Sequence, residues 1–228
     1  MRFLSFALGG LLLAAALPAH AQTAPAAIPA APRFFVGLGA YSSYYQPFGQ
    51  PYGSTGFPVP LQLTAGYQLG PRLAVQVGVA YSGHRYSYNN YSPQGSPPFV
   101  PYTNEGRNTR RQASVSVLAR YGLTRQATHR LQFDALGGFG LEHSFYNSRG
   151  TQTDGFSGTP QTSTYDYTSV RNSYLLTAGM GARYRLSSRF ALTADFTVSR
   201  ALNNVGPGYA DPGLTGAAAL GLRYRFGW

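Results

Sequence analysis

Glu142, His143 and Ser144 stand in a row and supply a carboxylate, an imidazole and a hydroxyl. Those are the groups of nucleophilic acyl transfer, provided that nucleophile and base lie within hydrogen-bond reach. Consecutive side chains of a strand point to opposite faces, so in a strand His143 cannot serve Ser144. His84 and His129 are isolated and lack metal-ligand spacing. Asp154, Tyr165, Asp166 and Tyr167 offer oxygens too scattered for a calcium loop. Gly37-x-Gly39 and Gly179-x-Gly181 alternate like strand glycines, not like a phosphate loop. What remains is a set of acids, Asp134, Glu142 and Asp195, interspersed with Arg110, Arg120, Arg183 and Arg223. Such a set reads as structural ion pairing, so no catalytic residue, cofactor or metal is expected.

The elements that carry these residues have a period of two. In 214–228 the even positions are apolar, small or aromatic, and the odd ones small, polar or cationic. Seven further segments alternate in the same way: 33–45, 59–69, 72–86, 110–122, 130–145, 171–186 and 189–202. In the fifth, Leu131, Phe133, Ala135, Phe139 and Leu141 alternate with Gln132, Asp134, Gly138, Gly140 and Glu142. Period two is the strand period, and Gly and Pro recur too often for long helices. The connections alternate in length. They are short after the second, fourth and sixth strands, and long after the first, third, fifth and seventh, as in 87–109 and 146–170. That is the rhythm of a spanning barrel with short turns on one side of a membrane and four long loops on the other. The expected fold is all-β, an eight-stranded antiparallel up-and-down transmembrane β-barrel over 33–228.

A soluble barrel would turn its aliphatic face inward. Here the arginine-bearing face is otherwise Gly, Ala, Ser, Thr and Gln, which suits a narrow lumen. The other face carries almost no charge for about ten residues per strand, the length a tilted spanning strand needs. Tyr67, Tyr121, Tyr184, Tyr224 and Trp228 fall near the short-turn ends, where an interfacial aromatic girdle belongs. Eight strands leave room only for side chains. The inward charges should therefore pair and plug the lumen: Arg120 with Asp134, Asp195 with Arg183 and Arg223, and Glu142 with Arg110.

Residues 1–21 have a positive start, an apolar run and a small-x-small end at Ala19-His20-Ala21, the pattern of an export signal. Residues 22–32 form an Ala/Pro linker. The sequence has no cysteine, so a sheet without disulfides must hold itself together. Its 18 basic residues are all arginine and its formal charge is +11. For an exported chain without a recognition motif this excludes nucleic acid and points to anionic lipid and lipopolysaccharide.

The architecture and the terminal Leu222-Arg223-Tyr224-Arg225-Phe226-Gly227-Trp228 resemble the small eight-stranded outer-membrane barrels of the OmpA/OmpX type, including the outer membrane protein β-barrel domain families. The resemblance covers about 33–228. It implies recognition of the C-terminal strand by the barrel assembly machinery, although the family more often ends in Phe than in Trp. It also implies a Gram-negative outer membrane and a structural, adhesive or small-channel role. Nothing follows the barrel in the sequence, so no peptidoglycan-binding domain is expected. The functional expectation is a non-catalytic barrel that is structural or adhesive through its long loops. A narrow pore and a lipid-modifying enzyme are the alternatives.

Overall fold

The computed structural model describes residues 33–48, 54–94, 100–126, 129–154, 160–203 and 214–226. The export signal, the linker and Trp228 lie outside those residues. Eight strands follow in chain order: β1 Phe34–Ser43, β2 Thr55–Gln68, β3 Leu73–Gln94, β4 Val100–Gly122, β5 Leu131–Asp154, β6 Gln161–Arg185, β7 Phe190–Ala201 and β8 Thr215–Phe226. Each is antiparallel to the next, and β1 also pairs with β8 from Phe34↔Phe226 to Ser43↔Ala217, so the sheet closes into an up-and-down barrel.

Alternation decides which way each side chain points. Leu131, Phe133 and Phe139 on β5 face out, while Asp134, Leu136 and Glu142 are buried inside. The outward set on all eight strands forms a belt of Leu, Val, Phe, Tyr, Ala and Met without a charge among the described residues. Its members are widely exposed, Leu63 by 63% and Leu220 by 65%. Such a surface would drive aggregation in water, but it matches hydrocarbon. The belt runs from Leu131 to Leu141 on β5 and from Tyr174 to Tyr184 on β6, the length of a tilted spanning strand. Arg85, Arg111, His143 and Arg200 mark its upper border.

Two short turns at the lower end share one design. Leu69 and Gly70 donate backbone N–H bonds to the Leu73 carbonyl, and Leu186 and Ser187 do the same to that of Phe190. At the other end the long connections after the third and fifth strands are not loops. Residues 87–109 and 146–170 mostly continue β3, β4, β5 and β6, which reach 22, 23, 24 and 25 residues. Apolar alternation stops at the belt, but Thr, Tyr, Ser and Asn continue. Thr and Tyr favour a pleated surface, and the two hairpins supply their own cross-strand hydrogen bonds. A four-stranded ribbon therefore stands above the barrel. Its edges are the upper parts of β3 and β6, since β2 pairs with β3 only up to Arg85 and β7 with β6 only up to Leu175 among the described residues.

Candidate functional site

The lumen is filled rather than open. Near its base Arg120, 2% exposed, binds two carboxylates at once. Its Nη2 lies 2.9 Å from Asp134 Oδ2, and its Nη1 and Nη2 reach the two oxygens of Asp195 at 2.6 and 2.9 Å. Arg183 Nη2 donates to the other Asp134 oxygen at 2.6 Å. Gln76 Oε1 accepts from Arg120 at 3.1 Å and from Arg223 at 2.8 Å. The Arg223 guanidinium also lies 4.1 Å from the centre of the Phe35 ring. Two glycines make room for this cluster. A Cβ on Gly181 would stand 2.6 Å from both Arg120 Nη2 and Asp195 Oδ1, and one on Gly66 would enter the Phe35 ring.

Three of the expected partnerships change. Asp195 reaches across the lumen to Arg120 rather than to Arg183 or Arg223, because a narrow closed barrel brings non-neighbouring strands within one arginine's length. Arg223 is held by an amide and a ring instead of a carboxylate. Glu142 does not meet Arg110. It is 4% exposed at the height of Ser114, its Oε1 accepts a bond from the Tyr41 hydroxyl at 3.4 Å, and Oε2 has no hydrogen-bond partner. Arg110 lies higher, exposed, opposite His84 and Tyr146.

Strand periodicity gave no sign of the second plug, because it comes from a loop. After β1 the chain turns inward, and Gln46 is fully buried in the mouth of the barrel. Its Nε2 donates to Ser82 Oγ at 3.4 Å and to the Gln112 carbonyl at 2.9 Å, and its Oε1 accepts from Ser114 at 3.2 Å. Gln112 in turn donates to the Tyr45 carbonyl.

Glu142 and Ser144 belong to the inward set, whereas His143 faces out and its Nδ1 lies 2.7 Å from Asn172 Oδ1. His143 and Ser144 are thus not placed as base and nucleophile. Among the described residues no three His, Asp or Glu come together as metal ligands.

The girdle residues recur with one geometry. Tyr67, Tyr121, Tyr184 and Tyr224 stand opposite Phe34, Leu73, Leu131 and Phe190, the first outward residues of the ascending strands. Rings pack where both partners are aromatic, with centroids 4.9 Å apart for Phe34–Tyr67 and 5.0 Å for Phe190–Tyr224. Amphipathic rings at one level fix a barrel's depth at a lipid–water boundary.

The ribbon carries its own site. Tyr88, Gly106, Gly150 and Tyr165 form one row across the four strands. The two tyrosines lean over the two glycines and their hydroxyls meet, with Tyr165 also donating to Asn104 Oδ1 at 3.0 Å. In the next row Arg107 and Arg149 stand directly opposite each other. Facing like charges are unfavourable unless an anion or water separates them. Asp166 is 3.9 Å from Arg149, but both are well exposed, so the pair adds little. Together these rows line an open hollow of about 790 Å³.

The family model for the outer membrane protein beta-barrel domain matches residues 9–226. No curated protein matches the chain. Among solved structures it is similar to Ail, the attachment invasion locus protein of Yersinia pestis, at 14% identity and a TM-score of 0.44, over 86% of this chain and 100% of that one. It is similar to Neisserial surface protein A at 15% identity and a TM-score of 0.42, over 85% and 97%. The outer membrane protein OprG of Pseudomonas aeruginosa gives 13% identity and 0.43, over 87% and 98%.

Proposed function

Because the chain belongs to the outer membrane protein β-barrel domain family, we propose that it is a non-enzymatic integral protein of a Gram-negative outer membrane that acts through its projecting ribbon. The observation that carries this reading is the length of β3 to β6 beyond the apolar belt. Above His143, β5 alone continues to Asp154, about 30–40 Å of strand at ~3.3 Å per residue. A barrel whose only task was to span the membrane would not need that extension. The ribbon presents Tyr, Asn, Thr and paired arginines, which supply contact area and charge-assisted hydrogen bonds to a partner. Among the described residues no further strand pairs with β3 beyond Arg85 or with β6 beyond Leu175, and an edge of that kind suits the addition of a partner's strand. An adhesive, surface-interacting role follows.

Two layers of plug, Arg120 with its carboxylates below and Gln46 above, argue against a conducting pore. The outward aim of His143 argues against a lipid-modifying enzyme. Lipopolysaccharide and outer-membrane lipid are the surroundings proposed for the belt, and the barrel assembly machinery is the partner proposed for β8.

The test uses two variants of the full chain in cells that lack it. One has both hairpins shortened to the belt, with β3 joined to β4 above Arg85 and β5 joined to β6 above Phe145. The other carries Arg107→Gln and Arg149→Gln. Attachment of cells to extracellular-matrix proteins and to epithelial cells should fall to background with the first and severalfold with the second. The unboiled, fast-migrating gel band should survive in both. Attachment that persists after the ribbon is cut back overturns the reading.

A further inference from the structure

At its upper border the outer face of β2, β3 and β4 ends in a cationic notch. Parity puts Tyr81, Gly83 and Arg85 of β3, with Thr109 and Arg111 of β4, on the same face as Val79 and Val115 of the belt. Phe57 of β2 pairs with Gly83 and shares that face. Arg111 stands opposite Gly83, and Arg85 opposite Thr109. The two guanidiniums therefore come from adjacent rows of neighbouring strands, a diagonal that long side chains span. Gly83 leaves a gap between them. Tyr81 leans into it, with its hydroxyl 2.9 Å from where a Cβ on Gly83 would stand. These residues border a hollow of about 270 Å³. Gly56, His84 and Arg110 border it too. Their parity is the opposite one, so they belong to the outer face through their backbone only.

Both arginines have neutral partners. Arg85 Nε donates to Thr109 Oγ1 at 3.3 Å, and the Arg111 guanidinium lies 6.0 Å from the centre of the Phe145 ring. Neither contact supplies negative charge, and the sequence has only seven acids to do so. Asp134, Glu142 and Asp195 are inside the barrel, and Asp166 is beside Arg149. Glu105 is six residues beyond Arg111 on β4, ~20 Å of strand. Asp154 ends β5, and Asp211 lies outside the described residues. Two guanidinium forks and two hydroxyls around a gap suit an oxyanion, and phosphate oxygens in particular.

The level of the notch says what carries that anion. One row down are Tyr81 and Ala113, and the next is the exposed pair Val79 and Val115. An anion held by Arg85 and Arg111 thus sits where the hydrocarbon ends, with a lipid-facing wall directly beneath it on the same face. Two arginines match the charge of a phosphomonoester, which approaches −2 at pH 7, better than the single charge of a diester. We propose that the notch binds a phosphomonoester carried by a lipid of the leaflet on the ribbon side, with an acyl chain descending over Val79 and Val115. The lipopolysaccharide proposed above as surroundings of the belt would supply it through its lipid A. The proposal rests on the membrane-spanning reading. It does not rest on the ribbon, which can be cut back above Arg85 without touching the notch.

The full-length mature chain is refolded into phosphatidylcholine vesicles containing lipid A and phosphatidylglycerol, extracted, and weighed intact with its retained lipid by native mass spectrometry. Retained lipid A should exceed its share in the vesicle by severalfold. Arg85→Gln and Arg111→Gln should each lower that enrichment by roughly fivefold. Gly83→Val fills the gap without changing charge and should also lower it severalfold. Arg200→Gln removes an outward arginine of the same border on β7 and should leave it unchanged.

An equal loss from Arg200→Gln would mean a general basic border and overturn the site, as would undiminished enrichment in Gly83→Val. Lipid A stripped of its phosphates and retained as well would overturn the phosphate. Phosphatidylglycerol enriched as strongly would overturn the monoester, and release of the lipid by inorganic phosphate would assign the notch to a soluble anion. The unboiled gel band reads insertion separately, so failure of the spanning reading is distinguished from failure of the lipid site.

Discussion

Asp134 shows how much one lumen carboxylate can hold. It is fully buried and its two oxygens engage different arginines. Asp134→Asn would leave Arg120 and Arg183 short of charge in a site without solvent, at a cost of ~3–5 kcal/mol. Urea-induced unfolding from phospholipid vesicles should show that loss, and an unchanged midpoint would remove the pair from the account of stability. Gly181→Ala should cost ~1–3 kcal/mol in the same assay, because the new methyl enters the space of the Arg120–Asp195 pair. Above the belt, burial and the nearby Arg110 hold the His84 imidazole below its usual range. The neutral form is therefore the one the folded rim favours, and stability present above pH ~6.5 should decline as pH falls through the lowered value. An NMR titration of the His84 ring should give a midpoint below 6.5 that moves up in Arg110→Gln. At this scale the sequence carried parity and one partnership, Arg120 with Asp134, but not the others. Strand period alone puts Arg120, Asp134, Arg183 and Asp195 on one face. That Asp195 binds Arg120 depends on the diameter of the closed ring, and that Gln46 enters the mouth depends on a loop whose side chains follow no period.

Strands were legible wherever one face met the belt, since Leu, Val and Phe at every second position leave no other element. They became illegible above it. Among the described residues neither face of the ribbon is covered by a hydrophobic layer, and β3 to β6 continue in a polar alphabet that reads as loop. Tyr88 and Tyr165 over Gly106 and Gly150 show what replaces the missing layer, large edge side chains lying on the glycines of the central strands. The cysteine-free sequence offers a direct check. Thr164→Cys on β6 should react with an impermeant maleimide on intact cells, whereas Ser188→Cys in a short turn should react only after the envelope is opened. Equal labelling of both would overturn the assigned orientation.

As a whole, the molecule exposes outside what water-soluble barrels keep inside. Val117, mid-belt on β4 and 48% exposed, makes the point testable. Arginine there would be harmless on a soluble protein, but should cost ~2–4 kcal/mol for a chain refolding into a bilayer. Charge divides along the same axis. The short-turn end is arginine without acid among the described residues, while Glu105, Asp154 and Asp166 stand in the ribbon. With both plugs in place, the protein should give no stepwise current in planar bilayers.

The pairing of β1 with β8 sets a timetable. Phe34 meets Phe226, so the seam joins residues made nearly a whole chain apart. No partial product can be sealed, and until the last strand arrives both seam edges and the greasy outer wall are open to any neighbour. Contacts so distant in sequence form slowly. During that wait the chain is at its most vulnerable, and escorts that shield unsealed sheet before it reaches the bilayer matter to its survival more than any single contact in the finished barrel.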